Sequence, residues 1–573
     1  MSLPENINAA LHKLDEHSKK WNERSNLEMA AVARACRRQL ATLDMSWTEE
    51  NLRCLGIEPS NPEPQNFSGI DPFIFLSTVG ERLDRAADSL EGKLKLPEAQ
   101  ELPVGLLAYP MGALGMATPG CQLEVWAEKT ASASSPELSA GVSLVLGAGN
   151  QNFLTAVDVI EQAFRGKKCV FLKQHPIRPF VSNAFAHIFA PLQEQGAYAQ
   201  CLDSDLIGAH EALICHALVT QVHVTGSVAT HDRIASALKK VGRADKVVFT
   251  SELGCVSPWI ICPGSDSAWQ EEAILHHAKM LTAAFKGNCS MNCLSPKVLV
   301  LPPEKVWPQR SHFLEVLRQQ LGTVPDMPPY YPGAHERYER FEKEYPDAEK
   351  ILAPTFQLPG DGVQKPPFPG QNFSTLSSLV LEVGVLGSSA TNSYAFQNEA
   401  FAPVLAVATA ECQSAEDFPA EAARAVNTHL YGNLSCVLIW PDQRSEALDR
   451  AIHELNYGCV GVNVWPALGY SNPLGVWGAA PGKYSVEDPQ SGNGFIGNHA
   501  DVPNICKNLL LGPFVNKSLA MDAKVPMFVW DILQLLASGK RMVVPRIGGI
   551  LMYHAFARCL GPSRKVKETR DVP

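Results

Sequence analysis

The sequence VSLVLGAGNQNF, residues 142–153, joins a run of apolar and β-branched residues to a glycine-rich turn. The run predicts a buried β-strand, and residues with helical spacing follow the turn. Similar runs recur at 168–173, 221–226, 246–254 and 258–264, and longer helical stretches separate them. This alternation is typical of a parallel, doubly wound sheet with helices on both faces. The stretch therefore predicts an α/β domain.

Patterns on either side of this domain predict further units. Four more apolar runs, at 296–303, 402–409, 434–441 and 458–465, indicate a second α/β domain. Before the first domain, residues 5–60 repeat apolar positions at helical spacing, which predicts a helical N-terminal region. A chain of 573 residues is long enough for two or three hydrophobic cores.

Composition narrows the class of protein. The formal net charge is -10, and no clustered basic surface of the kind that binds nucleic acid is evident, so we expect no nucleic-acid partner. The N-terminus lacks a basic-then-apolar signal pattern, and we expect no membrane-spanning helix. The 15 cysteines are scattered along the chain. Together these features predict a soluble, cytoplasmic protein with reduced thiols.

Two of the predicted strands end in turns suited to binding a ligand. In the first, the side-chain amide of Asn150 could stabilise an oxyanion, although an asparagine also fits a tight turn with a left-handed backbone. In the second, VTGSVAT at 224–230, Gly226 permits close approach of a ligand to the backbone. Ser227 can cap the helix that follows, whose N-terminus is a natural phosphate site.

A carboxylate and a cysteine supply a possible base and nucleophile. Glu252 ends one predicted strand, and Cys293 comes shortly before another. Cys289, four residues earlier, is a rival nucleophile. A Cys-x3-Cys pair could also be half of a metal site, but no second Cys or His pair with metal spacing lies nearby, so we expect no metal.

These segments occur in the order of the motifs of the aldehyde dehydrogenase superfamily, and the chain resembles a divergent member of it. ELGCVSP at 252–258 is similar to the family's Glu-Leu-Gly-Gly-Lys-x-Pro, which implies that Glu252 is the general base and that Gly254 lies at the cofactor. NCLSPKVLV at 292–300 resembles the nucleophile segment, which implies Cys293 as the nucleophile. Its spacing to Lys297 favours it over Cys289.

Other motifs of the resemblance concern a nicotinamide cofactor, NAD or NADP. VTGSVAT resembles the Phe-Thr-Gly-Ser turn. FLKQHP resembles the Val-Lys-Pro segment beside the adenosine ribose. NEAFAPV resembles the Glu-Glu-x-Phe-Gly-Pro-Val motif beside the nicotinamide ribose. The implied cofactor-binding residues are Lys173, Thr225, Gly226, Ser227, Gly254, Glu399 and Phe401. Where many NAD-preferring members have a glutamate three positions after the lysine, this chain has Pro176. Its lack of charge predicts that NADP is accepted at least comparably to NAD, with Lys173, His175 or Arg178 offsetting the phosphate.

The resemblance implies oxidation of an aldehyde to a carboxylic acid through a cysteine thiohemiacetal and thioester, with Asn150 in the oxyanion hole. Departures from the family's motifs, such as Ala148-Gly149 in place of Pro-Trp, leave two alternatives open. One is an acyl-thioester reductase of the same superfamily, against which Glu252 argues. The other is a binding or scaffold protein that has lost turnover.

The implied organisation has five parts. They are a helical region (1–100), a Rossmann-like cofactor domain (101–270), a second α/β domain that is catalytic (271–465) and two terminal segments (466–514 and 515–573). The fourth segment is a return and oligomerisation region, and the family suggests a homodimer or homotetramer. The last segment is an apolar helical extension. We expect it to dock on the enzyme or on a neighbouring subunit, with weak contact to a membrane surface as the alternative.

Overall fold

A computed structural model describes residues 2–57, 65–113, 120–129, 139–265, 267–355, 368, 370–389, 392–493 and 495–516. The predicted C-terminal extension lies outside the described residues from position 517 onward. Within the described ranges, no helix combines the length and apolar character needed to cross a membrane.

The helices of the described residues are numbered in chain order. They are α1 Glu5–Asn22, α2 Asn26–Leu40, α3 Trp47–Cys54, α4 Gln65–Leu90, α5 Leu154–Ile160, α6 Ser182–Ile188, α7 Ala190–Glu194, α8 His210–Ile214, α9 Val228–Lys240, α10 Glu271–Lys286, α11 Arg310–Thr323, α12 Ala334–Glu344, α13 Tyr394–Gln397, α14 Phe418–His429, α15 Glu446–Glu454 and α16 Ala467–Ser471.

The strands are numbered in the same way. They are β1 Gln100–Glu101, β2 Leu107–Ala113, β3 Gln122–Ala127, β4 Val142–Leu146, β5 Cys169–Lys173, β6 Tyr198–Cys201, β7 Val219–Gly226, β8 Val248–Leu253, β9 Pro258–Ile261, β10 Val298–Leu301, β11 Glu349–Ile351, β12 Ser378–Val385, β13 Val404–Thr409, β14 Ser435–Ile439, β15 Cys459–Val462, β16 Trp477–Gly478, β17 Gly492–Asn493, β18 Phe495–Ile496 and β19 Ile505–Leu511.

The smaller sheet has the order β17-β8-β7-β4-β5-β6. Its five longer strands are parallel, and β17 is antiparallel to β8. Strands β4 and β5 are almost wholly buried, which explains their unbroken apolar runs, because helices cover both faces of such a sheet. The predicted doubly wound domain is confirmed, and its carboxyl edge collects the ends of β4, β5, β7 and β8.

The larger sheet has eleven strands in the order β1-β2-β3-β19-β15-β14-β9-β10-β13-β12-β11. The seven strands from β19 to β12 are parallel, and antiparallel strands flank them on both sides. This sheet matches the predicted second α/β domain.

Strand β9 corrects one detail of the predicted organisation. The sequence grouped it with the cofactor domain, residues 101–270, but it pairs with β10 and β14 in the larger sheet. Strands β2 and β3 also lie in the larger sheet. The reason is physical: an apolar run shows that a strand is buried but not which sheet it joins. The chain crosses between the sheets in the four residues 254–257.

The predicted N-terminal helices are confirmed, and they share one apolar core with the smaller sheet. Leu11 and Trp21 of α1 are buried there with Phe171 of β5. The indole of Trp21 donates a hydrogen bond of 3.1 Å to the carbonyl of Ala163. The N-terminal helices therefore pack against the smaller sheet.

Candidate active site

Glu252 and Cys293, predicted as base and nucleophile, meet at the carboxyl edge of the smaller sheet. Glu252 is the penultimate residue of β8, and Cys293 lies in the segment that leads into β10. The Cys293 Sγ atom lies 3.5 Å from Oε1 of Glu252 and is placed to donate its proton to that carboxylate. Residues far apart in sequence thus form one thiol–carboxylate pair.

The environment of this pair favours its neutral forms. Burial, reinforced by the carboxylate of Asp158, raises the pKa of Glu252 to about 7, even though hydrogen bonds from Trp477 and Cys293 act to lower it. Burial and the carboxylates of Glu252 and Glu399 raise the pKa of the Cys293 thiol well above its ordinary value. The thiol therefore needs an adjacent proton acceptor to become a nucleophile, and Glu252 occupies that position.

Cys289, the rival nucleophile, lies in a different environment. It is buried, and its thiol is 3.3 Å from the carbonyl of Met327. Burial, followed by the nearby charge of Asp326, raises its pKa to about 12. The structure places Cys293, and not Cys289, against Glu252. Among the described residues no group of three or more His, Cys, Asp or Glu is arranged to hold a metal ion.

An unusual turn precedes Cys293. Asn288, Cys289 and Ser290 all have a left-handed backbone, with φ of 53°, 52° and 58°. This conformation costs a non-glycine residue roughly 1–2 kcal/mol. Lys297 Nζ donates to the Ser290 carbonyl at 2.6 Å, and Tyr330 donates to the Asn288 side chain at 3.0 Å. These bonds offset the cost and fix the path of the chain into Cys293.

Asn150 belongs to the same network. Its carbonyl accepts hydrogen bonds from the Tyr330 hydroxyl at 2.9 Å and the Asn288 amide at 3.1 Å. Its own side-chain amide lies 3.4 Å from the carbonyl of Met291, two residues before Cys293. The predicted oxyanion donor therefore lies against the nucleophile segment, with its amide directed to a backbone carbonyl.

Glu399 approaches Gly254 closely, and Phe401 lies near Lys297. A Cβ atom on Gly254 would lie 2.0 Å from Oε2 of Glu399, so only glycine permits this approach. The other oxygen, Oε1, is buried without a hydrogen-bond partner among the described residues. The Phe401 ring lies 6.0 Å from Nζ of Lys297. A buried acceptor without a partner fits a ligand hydroxyl group.

The turn after β7 matches the predicted cofactor turn in its local geometry. Ser227 caps the 13-residue helix α9, and its hydroxyl accepts the amide of Thr230 at 3.3 Å. A Cβ atom built on Gly226 would meet only Val224, at 3.6 Å, which leaves room for a ligand. Thr225 instead turns inward and donates to Asp158 at 3.1 Å. The turn therefore leaves space beside Gly226 and Ser227, whereas the Thr225 side chain is directed to Asp158.

Lys173, at the end of β5, is paired with an acidic residue that the sequence did not single out. Its ammonium forms an ion pair with Asp203, which follows β6. The imidazole of His210 contacts the same carboxylate at 3.0 Å. The position predicted for the adenosine ribose thus contains both a cation and an anion.

No family model matches the sequence, and no curated protein matches it either. Solved structures match its fold over most of the chain. One is the indole-3-acetaldehyde dehydrogenase of P. syringae, a cysteine-to-alanine mutant in complex with NAD+ and IAA: it is 15% identical, the match covers 88% of this chain and 89% of that one, and the TM-score is 0.58. Aldehyde dehydrogenase C of Pseudomonas syringae, a mutant with NAD+ and octanal, is 16% identical over 91% and 90% of the two chains, with a TM-score of 0.58. An NADP dependent enzyme of E. coli is 16% identical over 89% and 90%, with a TM-score of 0.57.

The chain has the aldehyde dehydrogenase fold. The fold that the sequence predicted is confirmed at this low identity.

Within this aldehyde dehydrogenase fold, sequence reasoning missed the groups behind Glu252. Asp158 of α5 lies 3.4 Å from Nε2 of His223, and His223 lies 2.9 Å from the hydroxyl of Thr250. His223 and Thr225 are two residues apart and lie on the same face of β7. Their partners in the register of β8 are Thr250 and Glu252. Polar residues at every second position of a buried strand were the signal that could have revealed this cluster.

Proposed function

We propose that this chain oxidises an aldehyde to a carboxylic acid with NAD or NADP, with Cys293 as nucleophile and Glu252 as base. The observation that carries the proposal is the 3.5 Å contact between Cys293 Sγ and Glu252 Oε1. The contact joins the two residues assigned to chemistry from the sequence alone. The solved structures with this fold include complexes with NAD+ and an aldehyde, which supports the same reaction class.

The residues around the pair fit a dinucleotide. Oε1 of Glu399 lacks a partner among the described residues and would accept a ribose hydroxyl. Gly226 and Ser227, at the N-terminus of α9, would take the pyrophosphate, and Lys173 would take the adenosine ribose. When bound, the oxidised nicotinamide accepts a hydride from the substrate carbon.

The first chemical step forms a carbon–sulfur bond. The Glu252 carboxylate takes the thiol proton of Cys293, and the thiolate attacks the carbonyl carbon of the aldehyde. The carbonyl oxygen becomes the anion of a thiohemiacetal. Asn150 would stabilise this anion by turning its amide from the Met291 carbonyl. One such donor contributes about 3 kcal/mol to the transition state.

The second step breaks the carbon–sulfur bond. Loss of hydride leaves a thioester on Cys293. Glu252, after returning its first proton to solvent, removes a proton from water, and the hydroxide adds to the thioester carbon. The carbon–sulfur bond then breaks, the departing thiolate takes the proton from Glu252, and the products are the carboxylic acid, the Cys293 thiol and the Glu252 carboxylate. A pKa of about 7 suits Glu252 for proton transfer in both steps at neutral pH.

Purified protein tested against short, aromatic and long-chain aldehydes decides the proposal. NAD(P)H formation that depends on Cys293 is the expected result. The matched control is Cys289→Ala, because both cysteines belong to one segment but only Cys293 contacts Glu252. Absence of turnover with every aldehyde and both cofactors would contradict the proposal.

Two alternatives remain distinguishable. An acyl-thioester reductase would consume NAD(P)H when given an acyl thioester and would have no use for the hydrolytic base. The contact between Glu252 and Cys293 favours hydrolysis. A scaffold protein without turnover would bind a dinucleotide and show neither reaction.

The assembly and cellular location are part of the proposal. We propose a homodimer or homotetramer in the cytoplasm. Light scattering of the purified protein would test the assembly, and a single-chain mass would contradict it. The fluorescence of a tagged chain in cells would test the location. Flotation with lipid vesicles would test the membrane contact considered for residues 515–573.

A further inference from the structure

The ends of β5 and β6 bring a lysine and an aspartate together beside the proposed cofactor site. Lys173 is the last residue of β5 and lies opposite Cys201 in the register of the two parallel strands. Asp203 follows two residues later, and its carboxylate pairs with the Lys173 ammonium. Dinucleotides bind at this edge of a doubly wound sheet, where an acidic side chain commonly accepts a ribose hydroxyl.

Asp203 is charged and open to a ligand. Burial acts to raise its pKa, but the hydrogen bond and charge of Lys173, together with His210, hold that pKa below its ordinary value. Its side chain remains 29% exposed. A carboxylate in this state can accept a hydroxyl hydrogen bond, and it repels a second anion placed beside it.

Arg178 and His175, which the sequence suggested as partners of the phosphate, cannot offset its charge. Arg178 is buried, and its guanidinium already donates to the Gly149 carbonyl at 2.8 Å, to Asn51 at 2.7 Å and to the Tyr330 hydroxyl at 2.9 Å. Burial lowers the pKa of His175 to about 3, with help from the charges of Lys173 and Arg178, so this imidazole is neutral at physiological pH. Asp203 itself compensates the charge of Lys173.

We propose that Asp203 makes the site select NAD over NADP. The inference rests on the proposed function, since it assumes a nicotinamide dinucleotide at this edge. The 2′-hydroxyl of NAD would donate to Asp203, whereas the 2′-phosphate of NADP would meet the same carboxylate, which already pairs with both Lys173 and His210. The uncharged Pro176 led to the expectation that NADP is accepted at least comparably to NAD. This proposal reverses that expectation, because Asp203, which follows β6, provides the carboxylate that is missing after β5.

Direct binding tests the inference without depending on turnover. The dissociation constants of NAD+ and NADP+ for the purified full-length protein would be measured by calorimetry at one pH and one ionic strength. The wild-type protein is expected to bind NAD+ at least about tenfold more tightly, a difference of about 1.4 kcal/mol. Asp203→Asn and Asp203→Ser should each bring the two constants within about threefold, mainly by tightening NADP+, and Asp203→Glu should keep the preference for NAD+.

Controls separate local from global effects. Glu211→Gln removes the same charge from an exposed residue of the neighbouring helix α8 and should leave the ratio unchanged. Far-UV circular dichroism and thermal unfolding check that each variant is folded. Equal wild-type affinities, or an unchanged ratio in folded Asp203→Asn and Asp203→Ser, would overturn the assignment of Asp203. If neither dinucleotide binds the wild-type protein, the proposed function itself fails, and the selectivity fails with it.

Discussion

Replacing Asp158 with asparagine should move the pH dependence of turnover to lower pH. Water activation requires the ionised form of Glu252, whose pKa of about 7 leaves about half of it ionised at pH 7 and about a tenth at pH 6. After burial, the charge of Asp158 is the main cause that raises this pKa. Removing a neighbouring negative charge favours the carboxylate form. The acid limb of the profile should therefore shift down.

An opposing effect through His223 has to be weighed. Burial acts to lower the pKa of His223, but Asp158 raises it overall, and a protonated His223 in turn lowers the pKa of Glu252. The asparagine variant therefore loses part of this cation as well. The direct effect of Asp158 on Glu252 is the larger of the two, so the net direction stays downward. A shift of one pH unit, equivalent to about 1.4 kcal/mol, would raise the ionised fraction at pH 6 about fivefold.

The assay is the steady-state rate at saturating aldehyde and dinucleotide between pH 5.5 and 9, with single-turnover acyl-enzyme hydrolysis as the confirming measurement. His223→Gln is the paired variant, because it removes the cation and leaves Asp158 in place, and its acid limb should move to higher pH. Asparagine is nearly isosteric with aspartate and can still accept the Thr225 hydroxyl, which now bonds Asp158 at 3.1 Å. Profiles that stay fixed, or that move in the same direction in both variants, would refute this account of Glu252.

Three further predictions concern single residues. Cys293→Ala should abolish aldehyde oxidation while calorimetry still detects dinucleotide binding, and Cys289→Ala should retain substantial activity; the opposite pattern would make Cys289 the nucleophile. Glu252→Gln removes the proton acceptor of both steps, so stopped-flow absorbance should show a slowed first turnover of NAD(P)H as well as slow steady-state turnover, and wild-type steady-state rates would remove Glu252 from the mechanism. Gly254→Ala should weaken dinucleotide binding, because its Cβ would lie 2.0 Å from the Glu399 carboxylate; an unchanged dissociation constant would show that Glu399 can move aside without cost.

The sequence predicts the parallel strands because their signals are local. Strands buried on both faces read as continuous apolar runs, and a carboxylate or glycine at the end of such a run marks the binding edge. That edge is common to all parallel strands of a sheet, so residues at the ends of different runs are expected to meet. Glu252 lies at this edge, whereas Cys293 precedes β10 of the larger sheet, so the family resemblance and not the strand pattern predicted their contact.

Other parts of the site depend on pairings between distant segments, which local patterns do not encode. Asp203 reaches Lys173 only because β6 lies beside β5 at the edge of the sheet. Asp158 reaches His223 because α5 packs over the sheet, and a polar residue in a helix pattern reads as solvent-exposed until its tertiary partner is known. The left-handed turn at residues 288–290 contains an asparagine, which tolerates this backbone, but Cys289 and Ser290 carry no local signal for it.

The pairing of β17 with β8 determines when this site can first exist during synthesis. Gly492 lies opposite Glu252 in the register, although 239 residues separate them in the chain. On the ribosome, the strand that carries Glu252 therefore remains an open edge until residue 493 has left the exit tunnel. Cys293 and β10 also emerge long before this edge closes. Appearance of activity during translation would consequently report synthesis past residue 493, and nascent chains truncated before it would expose an unpaired strand to chaperones.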